Sequence, residues 1–171
     1  MHNIPDIRVW RTANEYQEVA SLCNQHKKIW GGAINAALAI EIYLKSFLSE
    51  EVRVSIGDHA YVGYKKTERG HDLFALYKKI PEHLQTLLCD QYKLINSKSH
   101  LPDLLKKHKD VFFHARYVHE EDAIKSVGND IIFLAEELRK VVINVAKLVH
   151  PPITKPAGLE EAVARHKASV K

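Results

Sequence analysis

Residues 29–50 read IWGGAINAALAIEIYLKSFLSE, and this stretch decides the fold. Ile34, Leu38 and Ile42, with Ala37 and Leu44 beside them, form a wide apolar face at helical spacing. Ala33, Ala36, Ala37 and Ala39 are strong helix formers and small enough to let another backbone come close. Gly31 and Gly32 are expected to mark the start of the helix. A central, mostly buried helix follows. Glu41 and Lys45 then need an explanation, because charges on a buried helix need partners. They stand four apart in the favourable Glu-then-Lys order, which fits either a core pair or a surface pair on one exposed strip.

Toward the N-terminus, residues 1–8 read as an extended lead-in, with Pro5 opposing helix. Residues 10–28 carry Ala13, Tyr16, Val19, Ala20 and Cys23 at helical steps. Toward the C-terminus the pattern first changes. Val52, Val54 and Ile56 alternate with polar residues, Gly57-Asp58 signals a turn, and residues 60–64 can return as a strand. A small β-hairpin or ordered loop is predicted over 52–66, leaning on the helices because an isolated hairpin is weak. After a turn at Glu68-Arg69-Gly70, a short helix carries Leu73, Leu76, Tyr77 and Ile80, with Asp72 in its first turn. Pro81 ends it and opens the next helix, about 82–96, with Leu84, Leu87, Leu88, Tyr92 and Ile95 inward. Pro102 opens a segment running through Leu104, Leu105, Phe112 and Phe113 to Tyr117. A last helix over about 121–149 aligns Ile124, Val127, Ile131, Leu134, Leu138, Val142, Val145 and Leu148, and His150-Pro151-Pro152 stops it. The sum is an all-α helical bundle of five or six helices with one small hairpin. Residues 1–150 form a single domain and 151–171 a C-terminal tail.

The 171 residues are 46% hydrophobic and 27% charged, which argues for a globular core and against full-length disorder. The net charge of +4 permits contact with RNA or DNA without demanding it, and eleven histidines would make the surface more basic below neutral pH. Cys23 and Cys89 are too few and too far apart for a disulfide framework or a zinc site, so both are expected reduced, as small hydrophobes. Neither a secretion signal nor an apolar run of about 18 residues stands out, so a cytoplasmic protein without a membrane span is expected.

Signatures of nucleotide hydrolysis, dinucleotide binding, zincin chemistry and serine hydrolysis are missing from the sequence. No metal site and no cofactor is predicted. The polar set that remains is Glu41 and Lys45 on the central helix, Gly70-His71-Asp72 at a helix start, and the run from His114 through Arg116, Tyr117 and His119 to Glu120. Arg116 has the planar fork that binds phosphate or carboxylate. His71, His114 or His119 can exchange a proton near neutral pH, and Asp72, Glu41 or Glu120 can orient a histidine. The same residues have ordinary structural uses. His71 and Asp72 can cap a helix. Arg116 can pair with Glu41, Asp72 or Glu120 to tie helices together. His100, His108 and His114 read as scattered surface histidines. Lys106, Lys107, His108 and Lys109 form a basic run that reads most simply as a solvated face. A second basic patch, Lys65, Lys66 and Arg69, lies beside Tyr61 and Tyr64, a mixture that can stack bases.

The segments AALAIEIYLKSFL, GHDLFALY and HARYVHE, in that order, resemble the HEPN-like helical domains of prokaryotes over roughly residues 30–148. The resemblance implies a small helical bundle that is often dimeric, and a setting in toxin–antitoxin, phage-defence or stress systems. Many members bind or cut RNA. Catalytic members carry an Arg, four to six residues and a His near the start of a late helix, and two such motifs meet across a dimer to cut RNA without metal. Here Arg116 is followed by His119 after only two residues. Arg53 and His59 have a fitting gap but fall in the hairpin region. Arg116, Tyr117 and Glu120 instead resemble an Arg-Tyr-x-x-Glu element of a divergent branch, in which the central-helix acid and the Gly-His-Asp turn recur.

Three functional expectations follow. The first is a non-catalytic HEPN-like module binding RNA, a nucleotide or a cognate partner protein, as a homodimer. The second is a divergent metal-independent RNase, with Arg116 holding phosphate and His71 or His119 as acid and base. The third is a structural interaction domain whose tail docks on another subunit.

Overall fold

The computed structural model describes residues 4–56, 60–117 and 127–150, with the backbone alone for 53–56 and 60–65. Within them the chain is an all-α bundle carrying one two-stranded hairpin. The elements are α1 (Ile7–Gln25), α2 (Ile29–Lys45), β1 (Glu50–Ile56), β2 (Ala60–Lys66), α3 (Leu73–Lys79), α4 (Glu82–Ile95), α5 (Leu101–Lys107), α6 (Val111–Arg116) and α7 (Asp130–Val149).

The centre is α2, which packs against α1, α3, α6 and α7. Ala33, Ala36, Ala37, Ala39, Ile40, Tyr43 and Leu44 are all fully buried on it. The Ile34, Leu38 and Ile42 face named from spacing is only partly buried, so the heart of the helix lies on its alanine side. Small side chains are what allow the neighbouring helices to approach. Gly31 and Gly32 stand inside the first turn of α2 and not before it. A Cβ on Gly32 would come within 2.7 Å of Ile132 on α7, so the missing side chain makes room for the close approach of that helix.

α1 begins earlier than its spacing indicated. Asp6 caps it, accepting from the Arg8 N–H at 2.9 Å, and the Asp6 N–H donates to the Ser46 carbonyl at 2.9 Å. That last bond ties the start of α1 to the end of α2, so the two helices run antiparallel. Ala13, Gln17 and Ala20 are its buried positions, whereas Val19, expected inward, is 43% exposed. The hairpin lies where alternation placed it, with Val52 opposite Tyr64 and Val54 opposite Val62 in antiparallel register.

The segment opened by Pro102 holds two helices, α5 and α6, so the described residues carry seven where five or six were expected. The break falls at 108–110, where the Val111 N–H donates to the His108 carbonyl at 3.2 Å and the Lys109 carbonyl accepts from the Leu73 N–H at 3.4 Å. This turn joins α6 to the start of α3. His108 is not a surface histidine. It is 4% exposed, with Nε2 3.2 Å from Asp130 Oδ2 at the start of α7. Lys107 also engages that oxygen. α7 itself is described from Asp130, with Val127 partly buried before it. Position 124 and the tail 151–171 lie outside the described residues.

Burial holds the His108 pKa below its ordinary 6.5, against the opposing charge of Asp130 and with a smaller contribution from Lys107 in the same direction as burial. The unfolded chain therefore binds more protons than the folded one below pH 6.5. The stability that neutral His108 contributes is present above that pH and is lost as pH falls toward the folded pKa. Urea midpoints are expected to drop between about pH 7 and about pH 5.5, with a flatter profile for His108→Gln. Parallel profiles for the two proteins would exclude His108 as the source.

Candidate functional site

Glu41 sits on the fourth turn of α2 with only 4% of its surface exposed. Its two carboxylate oxygens serve two elements. Oε1 accepts from Lys45 Nζ at 2.7 Å, and Oε2 stands 2.8 Å from His71 Nδ1. A carboxylate only accepts, so Nδ1 is the protonated nitrogen of this contact and Nε2 is left for other work. The surface-pair reading of Glu41 and Lys45 is thereby overturned. The pair is a three-membered cluster with the acid buried, Lys45 14% exposed and His71 40% exposed at the side chain.

His71 reaches Glu41 because of its turn. Gly70 has φ +112°, a conformation open to glycine, and with it the chain doubles back before α3. Asp72 then caps α3, accepting from the Ala75 N–H at 2.8 Å. It points along the helix end and takes no part in the Glu41 cluster, as its capping role allowed.

The imidazole is held on its faces by α6. The His71 and Phe112 rings stack with centroids 4.9 Å apart, and Phe113 meets His71 edge to face at 5.2 Å. Arg116 is not an ion-pair clamp to Glu41 or Asp72. Its guanidinium lies 5.1 Å from the Phe112 ring centroid and 5.5 Å from that of Tyr117. Arg116 is exposed, Phe113 is 47% exposed and Tyr117 is 41% exposed. The result is a surface cluster of Tyr117, Arg116, His71 and Phe113 packed on the buried Phe112 ring, with His71 anchored from below by Glu41. His114 is half-buried on α6 and has no described contact with this cluster. His119 and Glu120 lie outside the described residues.

Sequence spacing missed the aromatic half of this site. Phe112 and Phe113 read only as apolar positions of one segment; Phe112 is buried and Phe113 is exposed, and nothing local says that Phe112 covers a histidine from outside its helix. A second polar network was missed as well. Arg139 on α7 donates to Gln17 at 2.8 Å, Gln17 donates to Ser21 at 2.8 Å, and Ser21 donates to Glu136 at 2.7 Å. Close by, Tyr43 donates to Asn14 at 2.6 Å, and burial pushes its phenol pKa well above the usual range despite the nearby Arg139 charge. These bonds join α1, α2 and α7 and account for a glutamine on the buried face of α1.

Among the described residues no three His, Cys, Asp or Glu side chains gather closely enough to hold a metal ion. No helix among them is long and apolar enough to cross a membrane. Beside His71 lies a depression of about 300 Å³, and a larger one of about 630 Å³ opens at the foot of the hairpin. Comparison of the chain with family models, with curated proteins and with solved structures finds no match.

Proposed function

We propose that the chain is a HEPN-like module, of the prokaryotic stress or defence kind, that binds single-stranded RNA or a nucleotide on the face formed by the His71 turn and α6. The observation that carries this reading is the exposed set of Phe113, Arg116 and Tyr117 beside His71, seated on the buried Phe112 ring. Bases stack on aromatic faces whatever their identity, each contributing about 1–3 kcal/mol. An arginine within the same set supplies a planar cation for the phosphate. The anchoring by Glu41 and by α6 favours a preformed surface, which lowers the ordering cost of binding.

The Glu41–His71 bond favours a second reading, metal-independent cleavage. With Nδ1 held by Glu41, His71 Nε2 would take the 2′-hydroxyl proton as the 2′-oxygen bonds to phosphorus and return it to the 5′-oxygen as the P–O5′ bond breaks, while Arg116 offsets charge on the phosphate. One experiment addresses both. Fluorescence anisotropy of a labelled single-stranded RNA should show about tenfold weaker binding for Phe113→Ala and for Arg116→Ala, with affinity falling as salt rises. Unchanged affinity in both folded variants would sink the binding reading. The same mixtures, run on a gel with EDTA, test cleavage. Cutting by wild type that disappears in folded His71→Ala would move the assignment to the RNase.

A further inference from the structure

We infer that the depression beside His71 is a pocket for one nucleobase of that strand, an inference that rests on the RNA-binding reading. At about 300 Å³ it lies at the small end of ligand pockets, the scale of a single flat ring system. Its lining is predominantly apolar, with Ala75, Leu76 and Phe113 beside Arg69, His71, Asp72 and Lys79. The His71 and Phe113 rings stand at 85° to each other, so they form a corner. Phe112 covers a face of His71, so the base stacks on the exposed Phe113 ring and turns its edge toward His71. Asp72 spends one oxygen on the Ala75 N–H and retains acceptor capacity for a base N–H.

The surroundings give the strand a direction. Arg69 lines this pocket and also the 630 Å³ depression at the hairpin foot, where Lys66 is a second cation. Glu50 and Glu68 share that depression, and Glu68 is engaged by Lys79 at 2.8 Å. Arg69 is therefore placed to hold the phosphate next to the seated base, with the chain continuing toward Lys66. A paired base cannot leave its stack to enter the pocket without losing its partner, so single strands are selected over duplexes.

Ala75 is exposed on α3, which makes Ala75→Trp a way to fill the pocket while leaving the core alone. The probe is a short single-stranded RNA carrying 2-aminopurine, whose emission reports stacking, with circular dichroism as the check on folding. Wild type should quench the probe and bind it over a duplex of the same sequence, and Ala75→Trp should bind about tenfold more weakly with the quench lost. Wild-type affinity and quench in Ala75→Trp, with Phe113→Ala still weakened, would overturn the pocket and leave the RNA reading standing. Absence of RNA binding by wild type would overturn both.

Discussion

Glu41→Ala is expected to lower stability by about 3–5 kcal/mol, which for a domain of this size is a fall in Tm of roughly 10 °C. The size comes from what the substitution leaves behind. Lys45 keeps its charge at 14% side-chain exposure with its partner gone, and His71 loses the group that fixes its ring. An unpartnered charge at that depth costs far more than the net worth of the pair. The penalty should shrink in the double variant Glu41→Met, Lys45→Met, which removes both charges and keeps the volume. Glu41→Gln should fall between, since the amide oxygen can still accept one of the two bonds. Thermal melts of the four proteins decide the matter. A loss under about 1 kcal/mol in Glu41→Ala would mean that Lys45 escapes to water.

That series also separates scaffold from site. Under the RNA-binding reading proposed above, Glu41 would act only through His71, as a positioning residue, so its damage to folding should exceed its damage to binding at temperatures where the variant is folded. Phe113 and Arg116 should show the reverse, because both are exposed and their rings and charge support little of the core. A buried carboxylate that binds two partners of unequal exposure does both jobs at once. It stabilises α2 against α3 and presents an imidazole at the surface.

The same residues show what was legible in the sequence. The Glu41–Lys45 spacing and the Gly70-His71-Asp72 turn were visible because both are local: a helix repeat and a glycine before a cap. The hairpin was visible in the alternation of Val52, Val54 and Ile56. The contact between Glu41 and His71 stood only as one of several carboxylate–histidine pairings, and tertiary packing across thirty residues is what selects it. The split of α5 from α6 was not visible: it falls at a turn where the buried His108 meets Asp130, a residue more than twenty positions away. Arg116 looked like an ion-pair clamp because arginines commonly are. Its exposed place at the end of a six-residue helix puts it over aromatic rings instead.

Leu138→Ala should cost about 3 kcal/mol, while Leu148→Ala should stay within about 0.5 kcal/mol of wild type. The two leucines share one apolar stripe by spacing, and periodicity alone gives them the same fate. On α7 they differ completely: Leu138 is fully buried with Val141, Val142 and Val145, whereas Leu148 is 57% exposed. Periodicity reports rotation about the helix axis. It carries no information on how far along the axis the packed neighbours extend, and from Lys147 to His150 every residue of the helix end is exposed. Truncating Leu138 opens a cavity among side chains already in close contact, so the lost transfer energy and the void add. Truncating Leu148 removes surface that water already covers. Urea denaturation of both variants measures the difference, with slopes compared to confirm that the denatured state is unchanged. Equal losses would place Leu148 under a cover of its own and would return α7 to the single stripe that its spacing describes.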